Sequence, residues 1–220
     1  MPAKNSIKQY AENGYYHIYN RGVAKQPIFL NEQDFAVFLL YLKELLMPPK
    51  LPSLEEEQLQ LPQPYKRKNF HQEITLLCFC LMPNHFHLLI KQKAPRSVVS
   101  FMRSLIIRYS QYFNRRYKRV GHVFQDVYKG ILVTNDAYLL WLSRYIHRNS
   151  LELLEKGRNL VTYSYSSYPH YLGRIQYAWV DSQEILAQVK DYQLFVEDPA
   201  QDHNQPKSLA DLFLEETEES

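Results

Sequence analysis

Leu76-Leu77-Cys78-Phe79-Cys80-Leu81-Met82-Pro83-Asn84-His85-Phe86-His87-Leu88-Leu89-Ile90 is the stretch on which the reading of this chain turns. Two short apolar runs flank Pro83-Asn84, a pair that favours a turn, and runs of this length bounded by turn residues suit buried strands better than helices. The stretch therefore reads as a β-hairpin. Successive side chains of a strand point to opposite faces, so His85 and His87 share one face and Phe86 takes the other. Each imidazole brings polar nitrogens into an apolar run, where they must find partners or cost stability. Local hydrogen bonds to each ring meet that need, and so does a divalent metal shared by both.

The chain has 220 residues, a formal net charge of +3 and 45% hydrophobic residues, enough for one globular domain with a full core. So small a positive balance does not by itself imply nucleic acid; the distribution of charge has to decide. The two cysteines, Cys78 and Cys80, sit too close along one strand for a comfortable bridge and lack metal-finger spacing, so they read as small core residues. No run approaches membrane-spanning length, and the residues after Met1 lack the apolar core of a signal peptide. The expectation is a soluble protein in a reducing, cytoplasmic setting with no membrane partner.

Working outward, Tyr15-Tyr16-His17-Ile18-Tyr19-Asn20-Arg21-Gly22 alternates and ends at a glycine, which predicts a first strand and a turn. His17 and Arg21 share a face of it; Arg21 is a candidate phosphate contact, and His17 reads as a hydrogen-bonded structural histidine. Within residues 31–47, Phe35, Phe38, Leu39, Leu42, Leu45 and Leu46 recur at helical spacing behind an Asn31 cap. Residues 48–70, with five prolines, an acidic cluster and the run Lys66-Arg67-Lys68, read as an exposed insertion.

After the hairpin, Ser97 as a cap and Val98, Phe101, Met102, Leu105, Tyr109, Tyr112 and Phe113 at helical spacing predict a second helix. Its other side and end concentrate Arg103, Arg108, Arg115, Arg116, Lys118 and Arg119. Arginine grips phosphate oxygens in a two-pronged geometry, so this helix is a candidate phosphate-tracking surface. A solvated helix end favoured by the helix dipole is the alternative. Residues 122–133 predict another strand, and Thr134-Asn135-Asp136 caps a helix running to about residue 156. The order strand-helix-strand-strand-helix-strand is that of a ferredoxin-like antiparallel sheet, an α+β fold.

On that last helix Tyr145 and Asn149 stand four apart on one face. Asn149 would add an amide oxygen to His85 and His87 as a third metal ligand, and Tyr145 would then sit beside a polarised phosphate, a geometry for tyrosine attack on a phosphodiester. A phenol with a pKa near ~10 needs such a neighbour to act as a nucleophile. The chain has 18 tyrosines, and periodicity alone does not select Tyr145.

Four stretches together resemble the single-tyrosine HUH transposases, and within them the branch of REP-associated tyrosine transposases. They are residues 16–22, the signature Met82-Pro83-Asn84-His85-Phe86-His87-Leu88-Leu89, Gly121-His122-Val123-Phe124-Gln125, and Tyr145-Ile146-His147-Arg148-Asn149; Tyr165-Ser166-Ser167-Tyr168 and Tyr171-Leu172-Gly173 add to the likeness. The resemblance spans roughly residues 14–196. It implies a ferredoxin-like HUH fold that binds single-stranded DNA, often hairpin-forming, and uses Mg²⁺ or Mn²⁺. By the same likeness His85 and His87 bind the metal, Asn149 assists it, and Tyr145 becomes joined to the 5′-phosphate. In that branch proline commonly follows the asparagine, whereas Ser150 follows here, which bears on the ligand role of Asn149.

The expected organisation is one transposase domain over residues 1–196, with the proline-rich insertion near 48–70, a closing helix within 181–196, and an acidic tail over 197–220. The tyrosine-rich segment 163–171 reads as a packed loop, with base stacking as the alternative. Arg21, Arg103, Arg108, Arg115 and Arg116 are the expected DNA contacts. Two other readings remain: a DNA-hairpin-binding protein of the same fold that no longer cleaves, and a metal-dependent hydrolase of small phosphoesters. Whether the site is built within one chain or across a homodimer is left open by the sequence.

Overall fold

The computed structural model describes residues 10–49, 68–153 and 159–204. Most of the proline-rich insertion and of the acidic tail therefore lies outside the described residues. Four antiparallel strands, β1 (Tyr15–Arg21), β2 (Ile74–Met82), β3 (His85–Gln92) and β4 (Lys129–Val133), form one sheet in the order β2-β3-β1-β4. This is the expected ferredoxin-like arrangement, with both motif-bearing strands, β1 and β3, in the centre.

The hairpin closes with Met82 opposite His85, leaving Pro83 and Asn84 as a two-residue turn. Its carbonyls are held from outside. That of Pro83 accepts from the amides of Ile28 (2.8 Å) and Phe29 (3.0 Å), and that of Asn84 from the amide of Gly22 (2.8 Å). The loop after β1 folds back so tightly that a Cβ on Gly22 would stand 2.0 Å from the Gln26 carbonyl oxygen, so only glycine fits there.

Strand alternation sorts the sheet into two faces. Tyr16 and Ile18 of β1 and Phe86, Leu88 and Ile90 of β3 are buried on one of them, each stabilising the fold by about 1.5–3 kcal/mol for an aliphatic or phenyl group. Against this face lie α1 (Glu32–Leu46) and α2 (Ser97–Arg116): Phe38 of α1 meets Phe86 at 5.2 Å between ring centres, and Tyr109 of α2 meets Phe38 at 5.1 Å. The other face carries His17, Tyr19 and Arg21 of β1 with His85 and His87 of β3, since Tyr19 pairs with His87 and Arg21 with His85. Helix α3 (Asp136–Arg148) covers part of it.

Several local expectations shift. Asn31 caps α1 by accepting the Gln33 amide, and Asn135 caps α3 by accepting that of Tyr138. Ser97 does not cap α2: its hydroxyl donates to Glu73, and the Gln92 side-chain oxygen takes the Val98 amide instead. Of residues 122–133 only Lys129–Val133 pair as a strand, because the chain before them is tied down by a bridge between Gly22 and Phe124. Helix α3 ends at Arg148 and passes into a 3-10 turn, Asn149–Leu153, rather than running to 156. The closing helix is two short ones, α5 (Gln183–Leu186) and α6 (Tyr192–Glu197), after a single turn α4 (Tyr168–Tyr171).

The C-terminal segment also protects the outer edge of β2, where unpaired backbone groups would otherwise invite pairing with another chain. Cys80 bridges to Ser166, the Leu81 amide donates to the Tyr165 carbonyl (2.9 Å) and the Ser167 amide to that of Phe79 (3.0 Å). Cys78 and Cys80 are free, buried thiols; burial pushes that of Cys80 up to about 12, so it stays neutral among core residues. Among the described residues no helix is long and apolar enough to cross a membrane.

Candidate active site

Residues far apart in sequence meet on the face opposite α1 and α2. His85 and His87 point there from β3 with ring centres 5.0 Å apart and planes nearly perpendicular. The Tyr145 ring of α3 stands edge-on to His87 at 5.5 Å and to His17 at 6.1 Å. Asn149, one turn beyond Tyr145, places its side-chain oxygen 2.9 Å from Nε2 of His85. The helical spacing of four survives at the helix end because Asn149 keeps helical backbone angles. Both Tyr145 and Asn149 are partly exposed, so this corner of the sheet is open to solvent.

The charge state of the histidines follows from their surroundings. Burial holds His87 well below the usual imidazole range, with His85 and His17 adding to the effect. Burial also lowers His85, opposed by the Asn149 contact and Glu152 and assisted by Arg21. Both rings are thus neutral at pH 7 and carry lone pairs. Nδ1 of His85 lies 2.7 Å from the Asn84 side-chain oxygen and Nε2 2.9 Å from that of Asn149; each oxygen only accepts, and a neutral ring has one proton for the two. With the proton on Nδ1, the bare Nε2 and the Asn149 oxygen are two acceptors facing one another.

A divalent cation suits that pair. Adjacent ligands on an octahedral ion with bonds of about 2.1 Å stand about 3 Å apart. Two imidazoles and an amide oxygen form a mixed N/O donor set that suits Mn²⁺ at least as well as Mg²⁺. Among the described residues no cluster of three or more His, Cys, Asp or Glu is placed to hold a metal, so the amide of Asn149 is the candidate third ligand. The residues present fit a metal.

The helix bearing Tyr145 is anchored by its neighbours. His147, wholly buried, lies 2.8 Å from the Tyr192 hydroxyl through Nδ1 and 2.8 Å from the Ser167 hydroxyl through Nε2. Tyr192 donates in turn to Ser143, so it accepts from Nδ1–H, and Nε2 of His147 faces the Ser167 hydroxyl, whose oxygen also stands 3.2 Å from the Phe79 carbonyl. Burial lowers the pKa of His147 to about 3. Arg144 donates to the carbonyls of Phe195 (2.7 Å) and Asp198 (2.9 Å), and Arg148 to that of Val196 (2.9 Å). Charged donors on backbone carbonyls are strong hydrogen bonds, and here they fasten α6 to α3 on both sides of Tyr145.

The expected DNA contacts divide. Arg21 stands at the site, opposite His85 in the β1–β3 register, with Nε 2.5 Å from the Gln125 side-chain oxygen. Arg103, Arg108, Arg115 and Arg116 belong to α2, on the other side of the sheet. Arg103 and Arg115 are exposed; Arg108 pairs with Glu44 and lies over the Tyr41 ring at 4.3 Å; Arg116 lies 3.6 Å from Asp34 and 3.1 Å from the Tyr117 hydroxyl. The structure brings Tyr145, His85, His87, Asn149 and Arg21 together and leaves the α2 arginines apart from them.

His17, read from the sequence as a hydrogen-bonded structural histidine on the face of Arg21, does hydrogen-bond, and its partner is His87, which only the strand register reveals. Arg144 carries no pattern signal, because its partners are backbone carbonyls fifty residues away.

Residues 55–149 match the family of IS200-like transposases. Among solved structures, that of a REP-associated tyrosine transposase bound to a REP hairpin aligns with a TM-score of 0.53 at 9% identity, covering 80% of this chain and 96% of that one. A Deinococcus radiodurans R1 protein described as a transposase aligns with a TM-score of 0.37 at 12% identity, covering 67% of this chain and 97% of that one. The first supports the fold. No curated protein sequence matches.

Proposed function

We propose that this chain, which matches the IS200-like transposases over residues 55–149, binds single-stranded, hairpin-forming DNA and cleaves and rejoins it through Tyr145. The observation that carries this reading is the meeting of Tyr145 and Asn149 from one helix with His85 and His87 from one strand at an open corner of the sheet.

The Tyr145 oxygen attacks a backbone phosphorus. The phenol gives up its proton and a new phosphorus–oxygen bond to tyrosine forms as the bond to the 3′-oxygen breaks, leaving a 5′-phosphotyrosine and a 3′-oxygen that takes up a proton to become a hydroxyl. The reverse attack by a 3′-hydroxyl rejoins strands without an external energy source. His85, His87 and Asn149 would hold Mg²⁺ or Mn²⁺, which when bound would polarise the phosphate and favour the phenolate. Arg21 offers its guanidinium to a phosphate oxygen beside the reacting one, and the bonds of Arg144, His147 and Arg148 keep the phenol in place against His87. The arginines of α2 contribute to DNA affinity along a second path, away from the chemistry.

Labelled single-stranded DNA bearing hairpins from the protein's own genomic neighbourhood is incubated with Mn²⁺, Mg²⁺ or chelator and the mixture denatured. A metal-dependent label on the protein, absent from Tyr145→Phe, is the expected result. Retained label in Tyr145→Phe moves the nucleophile to another tyrosine. Tight binding with no adduct on any hairpin leaves a DNA-hairpin-binding protein and overturns the catalytic reading.

A further inference from the structure

His17 lies in the centre of β1, wholly buried, between Leu89 on one side and Ile131 on the other. Its Nε2 is 2.9 Å from Nδ1 of His87, and the two rings are near parallel with centres 5.2 Å apart. Its Nδ1 is a buried polar atom with no hydrogen-bond partner among the described residues. A neutral imidazole holds one proton, so the bond the two rings share holds one of two.

Only two arrangements satisfy that bond. In the first, His17 donates from Nε2–H to a bare Nδ1 of His87; the proton of His87 then sits on its Nε2, and the orphaned Nδ1 of His17 is an acceptor. In the second, His87 donates from Nδ1–H to a bare Nε2 of His17; Nε2 of His87 is then bare, and the orphaned Nδ1 of His17 carries the proton. An orphaned buried donor is rarer in proteins than an under-satisfied acceptor, which favours the first arrangement without metal. A metal can bind His87 only in the second, through Nε2, because Nδ1 is occupied by His17.

We propose that His17 is a positioning residue for the metal site: it holds the His87 ring and fixes Nε2 as its coordinating nitrogen, and metal binding switches the tautomers of both histidines together. The inference rests on the reading of His87 as a metal ligand. The switch conserves protons. One crosses from Nε2 of His17 to Nδ1 of His87, one leaves Nε2 of His87, and one reaches Nδ1 of His17. Such outer partners orient ligating histidines and set their tautomer in metal sites generally, and losing one weakens metal binding by about 10–100-fold.

The test compares full-length protein with His17→Gln, whose side-chain oxygen falls near Nε2 and can accept from His87, and His17→Leu, which cannot. Mn²⁺ affinity is read by titration of the free-ion electron paramagnetic resonance signal. Affinity is expected to fall at least about tenfold in His17→Leu and to stay within about threefold in His17→Gln. Long-range proton–nitrogen NMR of the unsubstituted protein, with and without Mg²⁺, reads the tautomers directly and does not depend on a variant folding. Both histidines exchanging tautomer on Mg²⁺ addition supports the proposal. Equal Mn²⁺ affinity in all three proteins, or fixed tautomers in Mg²⁺-bound protein, overturns it while the metal site stands. No Mn²⁺ binding by the unsubstituted protein overturns the metal site and this inference together.

Discussion

His147 makes the protein's hold on α3, the helix of Tyr145, sensitive to acid. The ring is wholly buried between Tyr192 and Ser167, and its pKa is lowered to about 3 from the ordinary 6.5. Between those values the unfolded chain binds a proton that the folded chain refuses, so stability is lost as pH falls through that window. One unit of displacement corresponds to about 1.36 kcal/mol, so at pH 5, some 1.5 units below 6.5, His147 alone costs about 2 kcal/mol. That is a large share of a typical folding free energy of about 5–15 kcal/mol. The measurement is urea unfolding at pH 7.5 and pH 5.0 for the natural protein and for His147→Gln, which keeps a donor and an acceptor but does not titrate. The variant is less stable at pH 7.5, yet its loss between the two pH values is smaller by about 2 kcal/mol. Equal losses in both proteins refute the reasoning, because His147 would then be free to take a proton in the folded state.

Gly22→Ala drives a methyl group into the Gln26 carbonyl, 2.0 Å away, and lowers stability by about 3 kcal/mol in the same unfolding assay. Arg144→Leu removes the donor to the Phe195 and Asp198 carbonyls; stability drops by about 2–3 kcal/mol, and hydrogen exchange of the α3 amides speeds up before that of β3. His85→Ala abolishes metal-dependent adduct formation with an unchanged melting profile in chelator, since the ring is only half-buried at the hairpin end. Arg21→Ala slows cleavage at saturating DNA by at least about tenfold, whereas Arg103→Ala leaves that rate within about twofold and instead lowers the salt dependence of binding by about one phosphate contact.

The strands and their faces were legible in residues 74–92 and 15–22 because the period of two in a strand is a local property: it requires only that one face be buried. The first helix was equally legible from its apolar stripe and its Asn31 cap. Ser97 misled because capping depends on which acceptor reaches the exposed amide, and here Gln92, from the end of the preceding strand, reaches it first. The chain over 122–128 alternates like a strand but is held by Gly22, so it pairs at one point only. The grouping of His85, His87, Tyr145 and Asn149 was legible as two local pairs, two residues apart on a strand and four apart on a helix, and as a family likeness.

What the sequence determined by itself was therefore everything set by short-range geometry: element type, the faces that His85 and His87 or Tyr145 and Asn149 share, and the order that implies a ferredoxin-like sheet. Only the tertiary structure decided that Tyr19 stands opposite His87, and so that His17 reaches the same ring. It alone showed that the arginines of α2 lie behind the sheet, with Arg21 at the site. It also showed the tyrosine helix pinned by carbonyls of residues 195–198. Those facts depend on cross-strand register and on contacts between segments far apart in the chain. Such contacts arise from the packing of the whole core, and no local pattern of residue types encodes them.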